Sequence, residues 1–96
     1  MSSGNKSSIR LEEILDIIGA ERLHEDLKKA VVEADIVVLQ ASHVQRVTTP
    51  CFQLMLAAAK ALAAKGGELV IEAPSDAFSA AMGDLGLTKE LNINEA

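Results

Sequence analysis

The chain is 96 residues long and 49% hydrophobic, with two Phe, no Trp, no Tyr and a formal net charge of −5. A chain of this length makes one domain whose core is too thin to wall off a deep catalytic cavity, which disfavours an enzyme. The charge opposes nucleic-acid backbones and anionic membrane surfaces, and neither a basic patch nor aromatic side chains for base stacking offset it. The single Cys51 offers no internal disulfide, and Lys60 and Lys65 interrupt the most apolar stretch, so no run of about 18 uncharged apolar residues exists to span a membrane. Residues 1–8 lack the apolar run of a signal peptide, which points to a cytoplasmic protein, and the thin core adds the expectation of a non-enzymatic one.

In chain order, residues 1–8 hold nothing apolar after Met1 and are expected to be a flexible tail, with a single domain over residues 9–91 and a frayed end over 92–96. Leu11, Ile14, Leu15, Ile17 and Ile18 fit no sustained period and read as a short strand over residues 13–17, and residues 9–18 form an edge able to pair with another chain. Leu23, Leu27, Ala30, Val31 and Ala34 recur at three- and four-residue steps, which predicts an amphipathic helix over residues 20–34. Ile36, Val37, Val38 and Leu39 form a β-branched run, a central strand covered on both faces. A polar stretch then leads to Pro50, suited to the first helical position with Thr49 before it as N-cap, and the helix runs to about Lys65, where Gly66 and Gly67 stop it. Leu69, Val70 and Ile71 predict a second buried strand, Ser75 and Asp76 cap a helix through Phe78, Met82 and Leu85, and Leu91 marks a final turn. Alternating strands and helices make the fold α/β, a small mostly parallel or mixed sheet of about four strands with helices packed on it.

This layout and several local strings resemble the STAS domain, shared by bacterial anti-sigma factor antagonists and by the C-terminal parts of sulfate-type anion transporters. The resemblance covers residues 11–91: a buried strand, the string Val47, Thr48, Thr49, Pro50, Cys51, Phe52 opening a long helix, the turn Lys65, Gly66, Gly67, a strand at Leu69 to Ile71, and the ending Leu85, Gly86, Leu87. The strings Leu15-Asp16, Ala41 to Val47 and Cys51-Phe52-Gln53-Leu54 look like a small subgroup associated with chemotaxis gene clusters.

The resemblance implies a protein-binding module for partner switching, its partner a regulatory kinase, an anti-sigma factor or a chemotaxis component. It also implies phosphorylation of the hydroxyl that follows the motif Asp, and Thr49 occupies that position. The chain departs from the family pattern in three places, with Thr48 for the motif Asp, Cys51 for Gly, and Gln40 for a strand-end Asp. The plain reading of Thr49 is a helix cap. The residues expected to meet the partner are Ser42, His43, Arg46, Thr48, Thr49, Pro50, Cys51 and Gln53. A second reading, also drawn from the resemblance, is an accessory STAS subunit docking on an ABC-type lipid-transport ATPase without phosphorylation. A third is a small-ligand or nucleotide-binding domain, although no Gly-rich phosphate loop is present.

Other residues read more plainly. Cys51 near a helix N-terminus has the setting of a reactive thiol, yet also that of a small side chain packed under the loop. His24, His43 and Cys51 match no compact zinc spacing, so neither metal nor cofactor is expected. Ser42, His43 and Asp35 are hydrolase residue types without a nucleophile turn, and Met55 and Met82 read as core fillers.

Overall fold

The computed structural model describes residues 5–86 and 91–94. Its elements in chain order are β1 (Lys6–Arg10), β2 (Ile14–Leu15), α1 (Ile17–Glu33), β3 (Ile36–Gln40), β4 (Arg46–Val47), α2 (Thr49–Ala64), β5 (Glu68–Glu72), α3 (Asp76–Asp84) and β6 (Asn92–Asn94). The four longer strands form one parallel sheet in the order β1-β3-β5-β6, while β2 and β4 pair in parallel as a separate short ribbon. The α/β class with a small parallel sheet is as expected, and β3 is internal to the sheet.

The ends of the chain differ from the expectation. Lys6, Ser7 and Ser8 belong to β1 rather than to a tail, because their backbone pairs with Ile36, Val37 and Val38 of β3. Likewise Asn92–Asn94, expected to fray, extend the sheet beside Val70, Ile71 and Glu72. Both strands are short, polar edge strands held by backbone hydrogen bonds to an apolar neighbour, which no side-chain periodicity announces. Parts of the predicted tail and of the final turn, residues 1–4, 87–90 and 95–96, lie outside the described residues.

The strand expected over residues 13–17 is only Ile14–Leu15, and α1 begins earlier than residue 20 because Asp16 caps it, its carboxylate accepting the Gly19 N–H at 3.1 Å. The stop of α2 is a Schellman turn: Gly67 N–H donates to Leu62 O at 2.8 Å and Gly66 N–H to Ala63 O at 3.0 Å, with Gly66 at φ +82. A Cβ on Gly67 would stand 2.0 Å from the Asp35 carbonyl oxygen, so the start of β5 approaches the start of β3 more closely than any other residue permits.

On one face of the sheet Val37, Leu39, Leu69 and Ile71 join Leu23, Leu27, Phe52, Met55, Leu62, Phe78 and Met82 in a single core cluster. The rings of Phe52 and Phe78 meet at 5.2 Å between centroids, tilted by 59°, and lock α2 to α3. Val38 points the other way; it is 4% exposed yet stands apart from that cluster. The effect is to gather the helices on one side and leave the carboxyl ends of the strands as a polar rim, where β3 leads through Ala41–Gln45 to β4 and α2.

Candidate functional site

Parallel strands deliver their following loops to one edge of the sheet, and a helix N-terminus there points its unpaired N–H groups and positive dipole end toward that edge. The loop after β3 is fastened on both flanks. On one, Ala41 N–H donates to Glu72 O at 3.0 Å and Ser75 N–H to Ala41 O at 3.0 Å, while the Ser75 hydroxyl donates to Val44 O and accepts from Phe78 N–H at 3.1 Å. The cap of α3 therefore also clamps the loop, with Val44 buried beneath it. On the other flank, Glu13 O accepts the N–H groups of Gln45 at 2.7 Å and Arg46 at 3.1 Å.

The start of α2 hangs on a single backbone group. The Leu15 carbonyl accepts the Thr48 N–H at 3.2 Å, the Thr48 hydroxyl at 3.0 Å and the Cys51 thiol at 3.3 Å, and the thiol and hydroxyl lie 3.5 Å apart. Thr48, not Thr49, is the N-cap, with extended backbone at φ −103 and ψ 160; its side chain makes no capping bond, and its hydroxyl is turned to donate to Leu15 O. Thr49 is the first helical residue. This corrects the expected cap by one position: proline sits at the second helical position, and the fixed backbone of β4 up to Val47 leaves Thr48 as the junction.

The expected binding residues divide accordingly. Ser42, His43, Arg46, Thr49, Pro50 and Gln53 are exposed along the rim, whereas Thr48 is half-buried and Cys51 is fully buried. Cys51 therefore holds the loop from beneath instead of touching a partner, and a thiol that donates to a carbonyl is packed in the manner of the inert reading. Among the described residues the Thr49 hydroxyl has no hydrogen-bond partner. It borders a shallow depression of about 230 Å³ lined by Thr49, Phe52, Gln53, Leu56 and Leu85, and Leu85 is one of the exposed large apolar side chains. Pro50 supplies no N–H, and Cys51 N–H is turned back to Thr48 O at 3.0 Å, which thins the donors available to an anion at this helix start.

Sequence reasoning missed the Leu15 carbonyl, the double use of Ser75 and the contribution of Leu85. Only Ser75 carried a usable signal, as a cap followed by Asp76. Among the described residues no group of three or more His, Cys, Asp or Glu is placed to hold a metal ion, and no helix is long and apolar enough to cross a membrane.

A comparison with curated proteins returns no match. The family model described as Mlab, STAS domain, matches residues 1–93. That match takes in every strand and helix described above except the last residue of β6, including the loop fastened at Leu15 and Ser75, and so the chain belongs to the STAS domain family of regulatory and binding modules.

Proposed function

We propose that the chain is a non-enzymatic, cytoplasmic docking module that binds a regulatory protein on the rim formed by Ser42, His43, Arg46, Thr49, Pro50 and Gln53, with Thr49 as its control point. The observation that carries this reading is the division of labour at the start of α2. Thr48 and Cys51 spend their polar atoms on Leu15, while Thr49 is left exposed beside an apolar depression with its hydroxyl unused. A phosphate on Thr49 would add a charge of about −1.5 to −2 at the border of that depression, compatible with the helix dipole but opposed to an apolar partner surface. The partner classes in view are a regulatory kinase, an anti-sigma factor and a chemotaxis component.

The test begins with a photo-crosslinking residue at Gln53 and a control at Glu33, in cells that contain the natural partner. Capture of one protein other than a second copy of this chain from Gln53 and not from Glu33 supports the surface, and equal capture from both, or capture of a second copy alone, refutes it. With that partner in hand, Thr49→Glu is expected to bind at least about tenfold more weakly, roughly 1.4 kcal/mol, and Thr49→Ala within about twofold of wild type.

A second reading, an accessory STAS subunit docking on an ABC-type lipid-transport ATPase without phosphorylation, is favoured by the scarcity of N–H donors around Thr49. Under it the captured protein is an ATP-binding cassette subunit, and Thr49→Glu and Thr49→Ala bind it alike.

A further inference from the structure

The solvent side of α1 carries Ile17, Glu21, His24, Lys28 and Val32, one stripe at helical spacing. Ile17 is 75% exposed and Val32 81%, the two most exposed large apolar side chains among the described residues. Beside it α2, which is apolar nearly all round, turns Pro50, Leu54, Ala57 and Ala61 outward. The two rows border an open furrow. One stretch of about 430 Å³ reaches from Ile17 and Pro50 to His24 and Leu54, and a second of about 300 Å³ continues from His24 and Leu54 to Val31 and Ala61.

The charges on this stripe are self-complementary. Glu21 and Lys28 lie symmetrically about the point between His24 and Glu25, and so do Ile17 and Val32. An antiparallel copy of α1 with its two-fold axis at that point sets Glu21 against Lys28 of the other copy at two places and Ile17 against Val32 at two more. A parallel copy sets like charges together. Glu21 makes no ion pair among the described residues, and Lys28 has only a long, exposed contact of 3.9 Å to Glu25.

We propose that the α1–α2 furrow is the face through which two copies of this chain associate, with α1 antiparallel to α1 across a two-fold axis. At about 1.5 Å per residue α1 is roughly 25 Å long. Two helix widths then cover roughly 450 Å² per copy, or about 900 Å² in all, well below the roughly 1,200 Å² at which standard stable interfaces begin. The dimer is therefore weak, with a Kd on the order of 10–100 µM. The furrow is open along its length, so a small apolar ligand would stay largely wet in it, whereas the small side chains of Ala57 and Ala61 give a second copy a close-packed floor. The furrow meets the Thr49 rim at Pro50 and Gln53, but the proposal does not depend on a partner there.

The test is sedimentation equilibrium on the full chain from about 5 µM to about 1 mM, a range that brackets the expected Kd. The expected result is a rise from the 10.1 kDa monomer mass toward twice that value. Glu21→Lys sets two ammonium groups against each other twice and is expected to weaken the dimer at least about fivefold, and adding Lys28→Glu to it is expected to restore the affinity to within about twofold. Ala57→Glu, at an exposed position that leaves the fold intact by circular dichroism, is expected to abolish the dimer over the whole range. A chain that stays monomeric at about 1 mM overturns the proposal and leaves the furrow to another occupant. A dimer that ignores Ala57→Glu and Glu21→Lys, or a charge swap no better than the single change, overturns it as well.

Discussion

Thr48 anchors α2 through its hydroxyl, which shares the Leu15 carbonyl with the Cys51 thiol. Thr48→Val keeps the β-branched shape of this half-buried side chain and removes the hydroxyl that donates to the Leu15 carbonyl at 3.0 Å. That carbonyl keeps the Thr48 N–H at 3.2 Å and the Cys51 thiol at 3.3 Å, so it is not orphaned, and the loss is that of one neutral hydrogen bond, about 1 kcal/mol. For a domain of this size the melting temperature falls by about 4–8 °C for each kcal/mol. Thr48→Ser retains the donor and is expected to cost no more than about 0.5 kcal/mol, and Thr49→Ala, exposed and not a cap, about the same. Urea unfolding followed by circular dichroism ranks the three. Thr49→Ala costing more than Thr48→Val, or Thr48→Val matching wild type, would refute the assignment of cap and anchor.

Gly67→Ala is expected to lose about 2–4 kcal/mol, because a Cβ 2.0 Å from the Asp35 carbonyl forces apart backbone that also receives the Glu68 N–H at 2.9 Å. Gly66→Ala meets open space and bears only the cost of its left-handed φ of +82, about 1 kcal/mol, so chemical denaturation should separate neighbouring glycines clearly. Ser75→Ala removes both the α3 cap and the clamp on Val44 and is expected to cost about 1–2 kcal/mol, with faster amide exchange at Val44 and Ser75 than at the centre of α2.

The sequence made the middle of the chain legible and left its ends obscure. α2, α3, β3 and β5 follow from apolar periodicity bounded by proline, serine and glycine, all local signals. β1 and β6 are polar segments whose strand conformation comes from pairing with the apolar β3 and β5, a non-local cause that neither Lys6–Arg10 nor Asn92–Asn94 expresses in its side chains. The α1 start was hidden because Asp16 caps a helix that opens with exposed Ile17 and Ile18, where an amphipathic pattern would place polar residues. At the site, the rim from Ser42 to Gln53 was readable from Pro50 and the polar run before it. The shift of the cap from Thr49 to Thr48 was not, since adjacent threonines are chemically equivalent and the choice was made by a carbonyl on Leu15, far back in the chain.

The docking surface itself is tested most directly by the affinity, measured calorimetrically, of the partner captured from Gln53 for wild-type chain and for Leu85→Glu. Leu85 lines the depression beside Thr49 and is 43% exposed, so the substitution places a carboxylate in the apolar patch without disturbing the core. A loss of at least about tenfold is the predicted result. Unchanged affinity would place the partner elsewhere on the molecule and contradict the assignment of this rim.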